Sequence, residues 1–98
     1  MLERLLDSVI LIDHLNGVPQ ATEFILALDP ETTAISVISY AEILTGLDEE
    51  GGRKARPLLQ SFVMLEIDAA VAEKAAILRR KHGWKLPDAF QVAIAMIH

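Results

Sequence analysis

Residues 33–47 read Thr-Ala-Ile-Ser-Val-Ile-Ser-Tyr-Ala-Glu-Ile-Leu-Thr-Gly-Leu, and this stretch decides the fold class. Its first part, Ala34–Ile38, is short and rich in β-branched residues, which is typical of a buried strand. Ser39 stands three residues before Glu42, the spacing of a capping box, which predicts a helix with Glu42 in its first turn. A strand that leads directly into a helix is the repeating unit of a parallel α/β sheet.

The same unit recurs before and after this stretch. Leu5-Leu6 predicts a short strand that ends at Asp7-Ser8, and the later segments alternate in the same way. We predict five further helices: Val9–Leu15, Pro19 to about Leu28, Arg53–Ser61, the segment from the Asp68 cap to Gly83, and Asp88–Ile97 after Pro87. Asp48–Gly52 is predicted to be a polar loop, and Phe62–Ile67 a third strand. The last helix is apolar nearly all round, so we expect other elements to cover it on several sides.

Charge is divided unevenly along the 98 residues. The first fifty hold ten acids and one base, the remainder four acids and eight bases, and the net charge is −5. This pattern predicts a cation-binding acidic cluster and a separate basic surface, and an acidic balance is unusual for a protein that coats nucleic acid. The absence of cysteine excludes a disulfide framework and a zinc–thiolate site.

Neither a signal peptide nor a membrane span is predicted. Asp7 and Asp13 interrupt the apolar N-terminal stretch, and Ala89–Ile97 is too short to cross a bilayer. We therefore expect a soluble, cytoplasmic protein.

Three acidic residues lie where a parallel α/β sheet forms its ligand site. Asp7 follows the first predicted strand, Glu42 opens the helix after the second, and Asp88 lies in the first turn of the last helix. Ligands bind at the carboxyl ends of such strands, and a hard divalent cation relieves the repulsion between carboxylates gathered there. On spacing alone a second interpretation stays open, in which each acid only caps a helix or meets a helix dipole.

Three segments resemble, in order and at family-like spacing, the motifs of PIN-domain ribonucleases, the toxins of VapBC-type toxin–antitoxin pairs. They are Leu5–Asp13, Ile35–Leu47 and Lys85–Ala95, and the resemblance covers the whole chain. It implies a PIN-like parallel sheet, here with three strands in the order 3-2-1, flanked by helices. It also implies that Asp7, Glu42 and Asp88 bind Mg²⁺ or Mn²⁺ and position the attacking water for cleavage of RNA.

The resemblance also implies partners, and the sequence departs from the family pattern in two places. The implied partners are RNA, a small antitoxin that wraps the toxin, and a second copy in a homodimer or higher oligomer. Val9 stands where the family usually has a polar Asn or Ser, and the family continues past the last helix into a fourth strand and a polar segment. We expect the single domain over residues 1–98 to lack these last strands, so that either another chain covers the apolar edge of the first strand or the protein is poorly soluble.

Two functions remain open at this point. The three acids favour a metal-dependent endoribonuclease toxin, whereas the missing segment favours a truncated or degenerate relative that only binds protein or oligomerises. A receiver-like or phosphatase-like phosphoryl-transfer domain is disfavoured, because the sequence around Glu42 does not suit it. The basic clusters Arg53–Arg56 and Arg79–Lys81 are interpreted as solvated faces or as contacts for RNA phosphates.

Overall fold

The computed structural model describes residues 2–98 as a three-stranded parallel sheet with six helices. In chain order the elements are β1 (Arg4–Leu5), α1 (Ser8–Leu15), α2 (Pro19–Leu26), β2 (Thr33–Ser36), α3 (Val37–Thr45), α4 (Glu49–Ser61), β3 (Val63–Leu65), α5 (Ala69–His82) and α6 (Leu86–Ile97). The strand order is β1-β2-β3, with Leu5 paired to Ala34 and Ile35 paired to Met64. This confirms the predicted α/β class and the predicted order, which is 3-2-1 when counted from the other edge.

The central strand β2 separates two hydrophobic cores. Neighbouring side chains of a strand point to opposite faces, and accordingly Ile35 belongs to one core and Ala34 to the other. On the first face Ile35 is buried with residues from α1 to α4, including Leu11, Ile43 and Leu59. On the second face α5 and α6 pack against the sheet. All four residues of β2 are buried, as expected for the middle strand of a covered parallel sheet.

Helix α5 begins and ends where local chemistry predicts. The Asp68 carboxylate accepts a hydrogen bond from the Val71 backbone N–H at 2.9 Å, which satisfies one free donor of the first turn. Gly83 follows the helix with a φ of +69°, a left-handed conformation that glycine adopts without steric cost. Val71, Ala75 and Leu78 form the buried stripe, as the sequence predicts.

The boundary between β2 and α3 lies earlier than the sequence predicts. The strand ends at Ser36, and α3 begins at Val37. Ser36 is the N-cap, because its hydroxyl oxygen accepts a hydrogen bond from the Ser39 backbone N–H at 3.0 Å. The predicted capping box of Ser39 and Glu42 is therefore wrong, and Glu42 lies in the second turn of α3 rather than in the first.

The predicted loop at Asp48–Gly52 is also wrong, because α4 begins at Glu49 and continues to Ser61. The Asp48 carboxylate accepts from the Gly51 N–H at 2.7 Å and caps the helix. Gly52, Ala55 and Leu59 are buried at helical spacing. Burial of this stripe together with a good cap outweighs the low helix propensity of two glycines and the interior Pro57.

Helix α6 is covered on one side rather than on several. Ala89, Ala93 and Ile94 are fully buried against α5 and the sheet. Val92 (36%) is exposed on the side turned away from this contact, and the last turn exposes Met96 (56%) and Ile97 (41%), so the prediction of cover on several sides is wrong for these positions.

Strand β1 is an edge strand in the described part of the chain. It pairs with β2, and both of its residues are exposed. The Arg4 guanidinium lies 5.0 Å from the centre of the Phe24 ring, which partly shields this edge with a cationic side chain.

Candidate functional site

An open cleft of about 1070 Å³ lies between α3 and α6, and two of the three predicted acids line it. Glu42 contributes from α3 and Asp88 from α6, and both side chains are exposed to solvent. The wall around them is largely apolar and consists of Val37, Ile38, Ala41, Ile67, Leu86, Pro87 and Phe90. Parallel α/β folds place ligands in such a crevice outside the carboxyl ends of the strands.

Glu42 is held at the cleft by its position on α3 and by one contact from α1. The Ser8 hydroxyl donates to Glu42 Oε2 at 3.4 Å, a long hydrogen bond that joins the beginning of α1 to the second turn of α3. Ser8 also lines the cleft. The sequence did not predict this contact, because 34 residues separate the two side chains and no local pattern connects them.

Asp88 lies in the first turn of α6, as predicted. Pro87 precedes it, and proline is favoured at this end of a helix, where the missing N–H costs no hydrogen bond. The positive end of the helix dipole stabilises the Asp88 carboxylate. The negative charge of this carboxylate is available to a cation in the cleft.

Asp7 lies beside the cleft rather than in its lining. Its Oδ1 accepts a hydrogen bond from the Ile10 N–H at 3.2 Å and caps α1. The Asp7 side chain borders a second, smaller pocket of about 240 Å³ together with Arg4 and Phe24. The structure thus brings Glu42 and Asp88 together and gives the Asp7 carboxylate a helix cap, so a ligand role for Asp7 stays a prediction.

The donors of the cleft suit a hard cation. In the lining, carboxylates at Glu42 and Asp88 and a hydroxyl at Ser8 offer oxygen atoms, which Mg²⁺ and Mn²⁺ prefer. The described lining contains no Lys or Arg to balance the two negative charges. Residues 2–98 contain no group of three or more His, Cys, Asp or Glu side chains placed to hold a metal ion. Mg²⁺ is commonly held by one or two carboxylates with several waters, so two acids in one cleft fit this ion.

A largely buried polar cluster, which no sequence pattern predicted, lies about one helical turn from each of the two acids. The Ser36 hydroxyl donates to Gln91 Oε1 at 2.7 Å, and Gln91 Nε2 donates to Ser39 Oγ at 2.9 Å. Ser36 and Ser39 are fully buried. The available signal was a single amide in the otherwise apolar run Ala89–Ile97, which requires a hydrogen-bond partner if it is buried.

The basic residues of α5 lie close to Asp88 along the chain. The segment Arg79–His82 forms the last turn of α5, and only Gly83–Lys85 separates it from α6. All these basic side chains are exposed. The rings of His82 and Trp84 stack with their centres 4.3 Å apart, so Trp84 is anchored by its neighbour rather than by the core.

The family follows from comparison with known proteins. The PIN domain model matches residues 4–98, and the chain belongs to the PIN domain family. The predicted resemblance is thereby confirmed.

Individual relatives agree with this assignment. The chain is 33% identical over 79 residues to Ribonuclease VapC10 of Mycobacterium tuberculosis, in strains CDC 1551 / Oshkosh and ATCC 25618 / H37Rv. That alignment covers 80% of this chain and 59% of the relative, so the chain spans less than two thirds of the length of the curated proteins it matches. It is also similar to a solved structure described as a toxin-antitoxin complex from Klebsiella pneumoniae. The TM-score is 0.85 and the identity 33%, with 98% of this chain and 80% of that chain covered.

Among residues 2–98, none of the helices combines the length and the apolar character needed to cross a bilayer.

Proposed function

We propose that this PIN-domain protein is a toxin-type endoribonuclease that cleaves RNA with the help of Mg²⁺ or Mn²⁺. The observation that carries the proposal is the cleft between α3 and α6, where Glu42 and Asp88 converge in a fold whose family includes ribonucleases. A bound divalent cation would activate water and stabilise the leaving oxygen of the phosphodiester.

The residues of the chain have separate tasks in this proposal. Glu42 and Asp88 hold the cation through carboxylate oxygens, and the Ser8 hydroxyl orients Glu42 through the contact at 3.4 Å. Asp7 directly precedes Ser8, so its carboxylate is adjacent to this group in the chain. We propose that Asp7 contributes its second oxygen, Oδ2, to the site while Oδ1 caps α1. A carboxylate has enough lone pairs for both roles.

The basic last turn of α5 supports binding of an RNA strand. Arg79, Arg80 and Lys81 are exposed cations, and the short connection to α6 keeps them near the end of the helix that carries Asp88. Phosphates that follow this turn would lead the strand toward the two acids. Such contacts are electrostatic, so binding should weaken steeply as salt concentration rises.

We further propose an antitoxin partner and self-association. The structural similarity to a toxin-antitoxin complex supports the first part. Exposed apolar side chains on α6, namely Val92, Met96 and Ile97, offer a surface that an apolar partner segment would cover. Co-expression with the product of the adjacent gene, followed by size-exclusion chromatography with light scattering, would measure both the heteromeric and the homomeric stoichiometry.

The central experiment combines Mn²⁺ binding with RNA cleavage. Wild-type protein, Glu42→Gln and Asp88→Asn are titrated with Mn²⁺ by calorimetry and then incubated with labelled single-stranded RNA in Mn²⁺ or in EDTA. Glu73→Gln is the matched control, because Glu73 is an exposed carboxylate on α5 outside the cleft.

We expect the wild type to cleave RNA only with the cation. Each cleft variant should lose more than the roughly 10–100-fold that removal of an outer-shell partner costs, and Glu73→Gln should behave as wild type. A folded wild type that neither binds Mn²⁺ nor cleaves RNA would refute the enzyme proposal. Antitoxin binding by that inert protein would support the non-catalytic alternative.

A further inference from the structure

A closed polar cluster of Ser36, Ser39 and Gln91 joins the end of β2 and the first turn of α3 to α6. Ser36 gives its single hydroxyl hydrogen to Gln91 Oε1 at 2.7 Å and accepts the Ser39 backbone N–H at 3.0 Å. Gln91 Nε2 donates to Ser39 Oγ at 2.9 Å. The two hydroxyl oxygens lie 3.3 Å apart, which leaves the hydrogen of Ser39 to close the ring toward Ser36.

The cluster lies in register with the two acids of the cleft. Ser39 precedes Glu42 by three residues on α3, and Gln91 follows Asp88 by three residues on α6. Residues three apart on a helix lie on the same face about one turn away from each other. The hydrogen bonds between Gln91 and the two serines therefore connect α3 to α6 one turn from the carboxylates, and Gln91 itself borders the cleft.

The burial of the cluster makes it geometrically demanding. Ser36 and Ser39 are fully buried, and within residues 2–98 no buried side-chain nitrogen or oxygen lacks a partner. A sliding or tilting movement of α6 along α3 would separate the fully buried serine hydroxyls from the half-buried Gln91 amide, which is costly. Apolar contacts are non-directional and would not resist such a movement to the same degree.

We propose that Gln91 is a positioning residue that sets the separation of Glu42 and Asp88, and hence the affinity with which the two carboxylates bind the cation. This inference rests on the proposed function for its activity readout, but the geometric part stands on the contacts of Ser36, Ser39 and Gln91. The amide joins two helices whose hydrogen-bonded residues, Ser39 and Gln91, lie 52 positions apart in the sequence. Partners that hydrogen-bond metal ligands directly contribute about 10–100-fold to metal affinity or activity, and Gln91 acts one step further out, so its contribution should lie at the lower end of that range.

The test uses Gln91→Met, which keeps the length of the side chain and removes both hydrogen bonds. Ser39→Ala is the milder second variant, because it removes one acceptor and places the best helix former inside α3. Leu78→Val serves as the control for stability alone, since Leu78 packs in the second core without lining the cleft. All variants are compared well below their melting temperatures, with folding checked by circular dichroism.

Two measurements are made on each variant: the Mn²⁺ dissociation constant, and the crystallographic separation of the Cα atoms of residues 42 and 88. We expect Gln91→Met to raise the dissociation constant about 10-fold, Ser39→Ala to raise it less, and Leu78→Val to leave it within about twofold. The Cα separation should change in the Gln91 variant and stay constant in the Leu78 variant.

Different results would refute the positioning role of Gln91 and the proposed metal-dependent function. The positioning role would be overturned if Gln91→Met folds with an unchanged Cα separation. It would also be overturned if Gln91→Met loses no more Mn²⁺ affinity than a Leu78 variant of equal melting temperature. If Gln91→Met does not fold, Ser39→Ala decides by the same two measurements. A wild type that binds no Mn²⁺ would refute the proposed function instead, and the crystallographic separation would still decide the geometry.

Discussion

Replacing Asp7 by Asn and, separately, by Ala distinguishes a helix cap from a metal ligand. Asn ranks with Asp as an N-cap, because its side-chain oxygen still accepts a backbone N–H, whereas Ala provides no acceptor. Only Asp carries the negative charge that a divalent cation requires. The two substitutions therefore have different effects on stability but the same effect on metal binding.

The cap bond sets the expected loss of stability. Asp7 Oδ1 lies 3.2 Å from the Ile10 nitrogen, at the long end of the usual range, and the bond is exposed to solvent. We therefore expect Asp7→Ala to lower the free energy of unfolding by about 0.5–1 kcal/mol, the lower half of the range for lost caps. At about 4–8 °C per kcal/mol for a domain of this size, the melting temperature should fall by about 2–8 °C. Asp7→Asn should stay within about 0.5 kcal/mol of the wild type.

Asp48 offers a matched control, since it caps α4 through a bond of 2.7 Å to the Gly51 nitrogen and does not line the cleft. Asp48→Ala and Asp48→Asn should show the same order of stability as the Asp7 pair, with unchanged Mn²⁺ affinity and RNA cleavage. Thermal denaturation and Mn²⁺ calorimetry measure the two effects. Wild-type Mn²⁺ affinity in Asp7→Asn would limit Asp7 to capping, and equal stability of Asp7→Ala and Asp7→Asn would refute the cap.

Three further changes concern the fold. Ile94→Ala should lower the free energy of unfolding by about 2–5 kcal/mol in urea titration, because Ile94 is fully buried, and a loss below about 1 kcal/mol would contradict the packing of α6. Gly83→Ala should cost about 1–2 kcal/mol from backbone strain at a φ of +69°, since nothing lies within 4 Å of the added Cβ, and a stabilised variant would argue against the left-handed cap. Val9→Asn should leave the melting temperature within a few degrees, because Val9 is 63% exposed; a large loss would mean that a partner chain buries this position.

Local signals were sufficient for some elements and insufficient for others. The Asp68 cap, the stripe of Val71, Ala75 and Leu78, and Gly83 act within a few residues of each other, so α5 was predicted with both of its ends. The start of α3 was not, because Ser36 and Ser39 are equally good caps and the β-branched residues between them suit a strand as well as a helix. In the structure Ser36 is the cap, because its hydroxyl oxygen accepts from the Ser39 backbone N–H, and Gln91, more than fifty residues further along the chain, supplies partners for both hydroxyls.

The candidate site was likewise predicted in part from the sequence. The order and spacing of the motifs around Asp7, Glu42 and Asp88 were enough to identify the PIN family, which the comparison confirms. The spacing could not show that Glu42 and Asp88 share the cleft lining while Asp7 caps α1 beside it, because side-chain direction depends on where each helix begins. A shift of three residues at the start of α3 moved Glu42 from the first turn to the second.

The sequence alone determined the α/β class, the strand order through family resemblance, and the identity of the acids at the ends of the elements. These properties depend on hydrophobic periodicity and on short-range capping chemistry, which are written into neighbouring residues. Only the tertiary structure decided the exposed face of α6, the contact of Ser8 with Glu42, and the polar cluster around Gln91. The two contacts join residues far apart in the chain, and the exposure of α6 depends on which elements pack against it, so all three features arise only when the helices pack on the sheet.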